Sequence, residues 1–170
     1  MKRTPEPELM DEATQARAYS EADFAMPHEA FCDEASCVFS ASTSGTILDL
    51  GCGPADITVR FARRYPKHDI VGLDGAQAML DLGQERIEKA QLTARIELRH
   101  CYLPTDNLET SFEGAISNSL LHHLAVPDVL WDTIATHVQS GSPVFVMDLM
   151  RPSSEAEVKR LVETYSADEP

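Results

Sequence analysis

The short, largely apolar run Ile47-Leu48-Asp49-Leu50 stops at Gly51-Cys52-Gly53-Pro54-Ala55, and this junction constrains the chain more than any other stretch. An apolar run of that length, closed by glycines, is a strand buried on both faces. Glycines one residue apart at its end supply backbone angles closed to other residues and let a ligand approach the main chain. Asp56 to Tyr65 then reads as a helix with Ile57, Phe61 and Ala62 on its inner face. Phosphate and dinucleotide sites use similar loops, and a plain strand-to-helix turn has the same look, so this string alone leaves the ligand open.

The pattern repeats downstream. Ile70 to Leu73 is a second strand and Ala76 to Ala90 a second helix; Ile96 to Leu98 and Ala115 to Ser117 are the third and fourth strands. Val126 to Val138 is a helix with Pro127 near its first turn, Val144 to Met147 a fifth strand, and Ser154-x-x-Glu157 a capping box opening a last helix whose inner face carries Val158, Leu161, Val162 and Tyr165. Strands buried on both faces and alternating with helices predict an α/β fold: a doubly wound, mostly parallel Rossmann-like sheet of about five strands. Ligands in such sheets bind beyond the carboxyl ends of the strands, where strand order reverses. Residues 8–40 read as helical with a break at Met26-Pro27, and Ser40 to Gly45 as a polar hinge. The chain thus divides into an N-terminal helical cap, 1–45, and a core, 46–170.

Composition narrows the partners. The 14 Lys and Arg against 28 Asp and Glu give a formal charge of −14. Duplex nucleic acid and anionic lipid are bound through clustered basic residues, and no such stripe is present, so neither nucleic acid nor membrane is an expected partner. No apolar run approaches the roughly 20 residues of a membrane span. Lys2 and Arg3 lead into Pro5-Glu6-Pro7-Glu8 rather than an apolar signal segment. A cytoplasmic location with reduced thiols is the resulting expectation. Cys32 and Cys37 behind His28 invite a metal reading, but a paired Cys-x-x-Cys and a fourth ligand are missing. Small buried side chains on a helix account for them better.

Asp74 ends the second strand, 25 residues after Asp49. A carboxylate there accepts hydrogen bonds from both hydroxyls of a ribose, and it also suits the N-cap of the helix at Ala76; the two roles are compatible. At this point a resemblance becomes specific. Ile47-Leu48-Asp49-Leu50-Gly51-Cys52-Gly53 resembles the first signature motif of class I S-adenosylmethionine-dependent methyltransferases, and Val71-Gly72-Leu73-Asp74 resembles the second. Asn118-Ser119-Leu120-Leu121-His122-His123-Leu124 is similar to the segment after the fourth strand in members acting on small molecules. The resemblance covers roughly residues 46–150. Pro5 to Asp11 and Met147 to Pro152 look like a narrower bacterial group with no assigned substrate.

The resemblance implies S-adenosylmethionine as cofactor, S-adenosylhomocysteine as product and a small-molecule acceptor. It puts Asp49, Gly51, Cys52 and Gly53 around the methionine half, Asp74 on the ribose, and Gly75 and Ala76 against the adenine. The family usually has an aspartate at the end of the third strand; here Cys101-Tyr102 stands there, so adenine recognition rests on backbone groups and ring contact. Asn118 is expected near the methionine portion and the transferred methyl. Tyr19 and Phe24 serve either as a lid over the cofactor or as ordinary helix packing. His122, His123 and Asn118 are the catalytic candidates. Histidine suits a base at neutral pH if the acceptor must lose a proton, but two adjacent side chains on a helix start cannot both face the pocket. Asp148 is expected at the rim in a solvated or capping role.

Length is a departure. The class I sheet normally carries two more strands after the fifth helix, and only five residues follow Tyr165. The chain therefore reads as a truncated or naturally shortened protein with one open sheet edge, which invites a homodimer. The alternative to an active enzyme is a cofactor-binding but catalytically incomplete module. A nicotinamide-dependent oxidoreductase is a third reading, and Asp56 in place of the third glycine of Gly-x-Gly-x-x-Gly argues against it.

Overall fold

A computed structural model describes residues 9–105, 108, 111–150 and 152–166; Met1 to Glu8, Arg151 and the side chain of Tyr165 lie outside the described residues. Five parallel strands form one sheet in the order β3-β2-β1-β4-β5, with β1 Gly45–Leu50, β2 His68–Asp74, β3 Ile96–His100, β4 Gly114–Asn118 and β5 Val144–Met147. The helices are α1 Ala13–Glu21, α2 Ala25–Ala35, α3 Asp56–Arg64, α4 Gln77–Lys89, α5 Asp128–His137 and α6 Glu155–Ser166. The doubly wound expectation is met, and the strand order reverses between β1 and β4.

Alternation along the central strands sorts the core into two layers. Ile47, Ile70 and Ile116 face α2 and α3, where they pack with Phe31, Phe39 and Phe61. Leu48, Leu50, Val71 and Leu73 face the other way and pack with Phe112, Leu130 and Ile134 beneath α5. A strand with period-two side chains and apolar residues on both faces has no solvent face, so its register is fixed from both sides. The edge strand β5 is only half-buried along its length. None of the described helices is long and apolar enough to cross a membrane.

Helix ends are satisfied by specific side chains. Arg95, just before β3, donates to the carbonyls of Ala62, Tyr65 and His68 and so closes the C-terminal end of α3, whose last carbonyls have no partner inside the helix. On α6, Glu157 N–H donates to Ser154 Oγ at 3.3 Å, but the Glu157 carboxylate accepts from Ser153 N–H and O–H at 2.8 and 2.7 Å rather than from Ser154. The expected capping box is thus displaced by one residue on its return arm.

The N-terminal segment differs from expectation in where it breaks. The turn falls at Ala22 to Phe24, and Pro27 is inside the first turn of α2. There its missing N–H leaves no helical bond unmade. Cys32 is buried as expected, whereas Cys37 lies past the end of α2 and is exposed. Ion pairs bolt α2 to α3: Arg60 and Arg64 reach Glu29, Arg64 reaches Asp33, and Asp56 Oδ2 takes both His28 Nδ1, at 2.7 Å, and Arg60 Nε. The His28 hydrogen bond, with help from Arg60, holds the Asp56 carboxyl well below the usual carboxylate range.

Gly72 at the middle of β2 is required by close approach. A Cβ there would stand 2.8 Å from Leu98 Cδ2 and 3.0 Å from Cys52 Cβ and Sγ. The glycine turn cannot yield easily, because Gly51 and Cys52 N–H both donate to the Leu73 carbonyl, at 2.8 and 3.0 Å. Gly72→Ala is therefore expected to destabilise the fold by about 1–3 kcal/mol through overpacking, read as a lower urea midpoint at unchanged slope. An unchanged midpoint contradicts the packing described.

Candidate active site

The turn after β1 is built from left-handed backbone. Gly51 and Gly53 have φ of 74° and 51°, and Ala55 follows at 59°. A Cβ on Gly51 would meet Leu120 Cβ at 3.0 Å, whereas one on Gly53 would meet nothing within 4 Å. Gly51 is thus fixed by both angle and contact, and Gly53 by angle alone, leaving its main chain open.

Asp74 is the clasp of this turn. Its Oδ2 accepts Gly53 N–H at 2.8 Å and its Oδ1 accepts Ala76 N–H at 2.8 Å. Burial pushes the Asp74 carboxyl up, against the pull of the Ala76, Gly53 and Gly75 N–H groups and the His100 ring. Each carboxylate oxygen has a second lone pair, so two accepted bonds leave capacity for two more. From β3, His100 Nε2 donates to the Gly75 carbonyl at 2.8 Å and holds the same turn from the far side. Beneath it Asp49 is 3% exposed and accepts from Thr58 Oγ1 at 2.7 Å. Burial pushes the Asp49 carboxyl up to about 7; the Thr58 bond opposes the shift and the charge of Asp74 adds to it.

A cavity of about 470 Å³ opens beyond the strand ends at the β1/β4 reversal. It is lined by Tyr19, Gly51, Gly53, Asp74, Gly75, Ala76, Cys101, Tyr102, Asn118, His122 and His123 among the residues singled out from sequence, together with Phe24. Asp49 and Cys52 are not on this wall; they line a small adjoining recess with Tyr19, His28 and Asn118. The Cys52 side chain packs over Gly72, so at that position the backbone is what faces outward.

The segment after β4 departs from expectation. His122 and His123 are on a turn rather than a helix start, with Ser119 at φ 58° and His123 N–H donating to the Leu120 carbonyl at 3.0 Å. Both rings line the cavity, 4.1 Å apart between centroids. A helix would have spread adjacent side chains about 100° apart; here the two rings are in contact and both reach the cavity. Asp148 is not solvated: its side chain is 13% exposed. Oδ2 accepts Leu121 N–H at 2.6 Å, and Oδ1 accepts Leu149 N–H at 2.7 Å and pairs with His122 Nδ1 at 2.8 Å.

The cap closes one side. Tyr19 stacks on Phe24 at 5.0 Å, and Phe24 on His28 at 5.4 Å. Burial raises the Tyr19 hydroxyl pKa, with the Asp74 charge adding to the effect. Arg86 on α4 donates to the carbonyls of Pro54 and Ser20 and to Ser20 Oγ, joining α1 to the glycine turn. Sequence reasoning did not single out Arg86, His100 or the clasp between Asp74 and Gly53. Only Asp74 carried a readable signal, as a carboxylate at a strand end. No cluster of His, Cys, Asp and Glu among the described residues is arranged to hold a metal ion.

Comparison with known proteins identifies the family and the fold. The sequence profile of the family described as "Methyltransferase domain" matches residues 47–141, from β1 to the loop before β5. An uncharacterized methyltransferase of Schizosaccharomyces pombe is 32% identical over 92 residues, which are 54% of this chain and 28% of that protein. The trans-aconitate 2-methyltransferase of a Yersinia pestis strain is 49% identical over 41 residues, 24% of this chain and 16% of that one. The match therefore spans less than a third of each of these relatives. A putative S-adenosyl-L-methionine-dependent methyltransferase from Methanococcus maripaludis superposes with a TM-score of 0.74 at 16% identity, over 97% of this chain and 76% of that one. Coclaurine N-methyltransferase, solved with N-methylheliamine and SAH, superposes at 0.61, again at 16% identity, over 71% of this chain and 34% of that one. With its profile match spanning more than half the sequence and its sheet shared with these structures, the chain belongs to the methyltransferase-domain family and has the class I fold.

Proposed function

We propose that the chain binds S-adenosylmethionine in the cavity at the β1/β4 reversal and transfers its methyl group to a small-molecule acceptor. The observation that carries the reading is the Asp74 clasp: a buried carboxylate on the cavity wall, fixed by Gly53 and Ala76 N–H, with acceptor capacity left for a pair of vicinal hydroxyls. The residues present suit the cofactor in other respects. Gly53 offers main chain that no Cβ covers, and Gly75 is packed closely by the Leu9 and Tyr102 side chains, each 3.1 Å from where a Cβ would stand.

Bound S-adenosylmethionine supplies an electrophilic methyl carbon on a positively charged sulfur. The chain's own part is to hold and to orient. Asp74 holds the ribose; Gly75, Ala76 and Tyr102 flank the base; Gly51, Gly53, Asn118 and the Asp49 carboxyl beneath them surround the amino-acid end. Tyr19 and Phe24 from the cap keep water from that end. Aligning the acceptor with the methyl carbon and the departing sulfur is the main source of rate in a displacement of this kind. The net charge of −14 suits a small acceptor better than a polyanion.

Calorimetric titration of the 170-residue chain with S-adenosylmethionine, S-adenosylhomocysteine and NAD tests the reading directly. Micromolar binding of the two sulfur nucleotides, with none of NAD, is expected; a folded chain that binds neither contradicts it. Asp74→Ala is expected to weaken cofactor binding by about 1–3 kcal/mol while circular dichroism shows the fold retained. Unchanged affinity removes Asp74 from the ribose site. A second expectation follows from the Asp49 carboxyl at about 7. A cationic ligand beside it favours the ionised form, so binding of S-adenosylmethionine releases protons near neutrality and tightens as pH rises from about 6 to about 8. Titrations in buffers of different ionisation enthalpy measure this; proton uptake, or an effect that persists in Asp49→Asn, contradicts it.

A further inference from the structure

We infer that His28, oriented by Asp56, accepts a hydrogen bond through Nε2 from the α-ammonium group of the cofactor's amino-acid end. This rests on the cofactor reading above and goes beyond it by naming the cap residue that reads that end. The small recess beside the main cavity, of about 40 Å³, has Tyr19, His28, Asp49, Gly53, Asp56 and Asn118 in its wall. A group the size of a water molecule needs about 10–15 Å³, so an ammonium group has room there. Tyr19, Gly53 and Asn118 line the main cavity as well, so the two spaces share a wall where the methionine half is assigned.

The ring is fixed and its polarity is set. His28 comes from α2, its side chain is 12% exposed, and it stacks on Phe24 at 5.4 Å. Its Nδ1 stands 2.7 Å from Asp56 Oδ2, which also accepts Arg60 Nε, while Asp56 Oδ1 faces Arg86 at 3.6 Å. A carboxyl group between two guanidinium groups is ionised and can only accept, so Nδ1 carries the hydrogen. Nε2 then presents a lone pair, and no hydrogen bond reaches it among the described residues. Asp56 is the positioning residue: it selects the tautomer that leaves an acceptor on the far side of the ring.

Charge decides which group of the amino-acid end enters. No described residue lining the recess is Lys or Arg. Arg60 is taken up by Asp56 and Glu29, and Arg86 by Asp56, Ser20 and the Pro54 carbonyl. A carboxylate in the recess would meet two acids and a lone pair, with no cationic side chain to receive it. An ammonium group meets the Nε2 lone pair and the Asp49 carboxyl, both of them acceptors for its three hydrogens. The carboxylate of the same ligand is left to the main cavity.

Two measurements on the full chain test this. The first is nitrogen-15 NMR of the histidine rings at about pH 8, above the usual range of the side chain. The Nδ1–H tautomer is expected for His28, with a shift toward Nε2–H in Asp56→Asn; an Nε2–H or doubly protonated ring in the unaltered chain overturns the assignment. The second is calorimetry with four probes. S-adenosylhomocysteine carries both groups, its decarboxylated analogue the amine alone, its desamino analogue the carboxylate alone, and methylthioadenosine neither. His28→Asn keeps a donor where Nδ1 stands and removes Nε2. It is expected to weaken the two amine-bearing probes by about 10–100-fold and leave the other two unchanged. His28→Gln, whose amide oxygen reaches the Nε2 position, is expected to restore part of the loss. An equal loss on all four probes makes His28 a structural residue and overturns the proposal. So does a loss confined to the carboxylate-bearing probes, or no loss at all. Failure of the unaltered chain to bind any of the four is a separate result, seen before a variant is made, and overturns the cofactor reading itself.

Discussion

One carboxylate ties together the two turns that form the cavity floor. Asp74 accepts Gly53 N–H from the turn after β1 and Ala76 N–H from the turn after β2, each at 2.8 Å. Both turns have backbone donors that no helix or strand bond uses, because the start of a helix leaves its first N–H groups without partners. Satisfying them with a single buried acid makes the geometry of one turn depend on the other. The energetic cost is visible in the raised carboxyls of Asp74 and, below it, Asp49. Two acids in one buried place are stable chiefly because they accept N–H and O–H bonds.

The rest of the architecture serves that floor. The parallel order β3-β2-β1-β4-β5 puts the ends of β1 and β4 side by side, so the glycine turn and Asn118 share one rim. Arg86 and the α2–α3 ion pairs bring the helical cap over it, and Tyr19 and Phe24 become a wall. Tyr19 is therefore a packing residue, one of the two roles that sequence left open, and also part of the cavity wall. On the opposite side Asp148, from just beyond β5, holds the turn after β4 and sets the His122 ring.

Much of the fold was legible because its signals are local. Runs such as Ile47 to Leu50 and Ile70 to Leu73 are short, apolar and closed by turn residues, and they reappear as β1 and β2. Asp74 was legible as a carboxylate at a strand end. What escaped depends on contacts distant in sequence. Arg95 closing α3, His100 holding Gly75, and Asp148 seated 26 residues from His122 have no local signature. The break before α2 was misplaced because Pro27 reads as a helix breaker wherever it stands, while in the first turn it costs nothing. The two histidines were separated by an assumed helix; a left-handed Ser119, invisible in composition, makes the segment a turn and brings both rings to the cavity.

The role proposed for Asp74 is to join the glycine turn to a ribose. A crystal structure of the chain grown with S-adenosylhomocysteine tests it most directly. Both ribose hydroxyls are expected within about 2.5–3.0 Å of the Asp74 carboxylate, with Gly53 and Ala76 N–H still bound to it. A nucleoside seated elsewhere, or an Asp74 that touches only those two backbone groups, would contradict it.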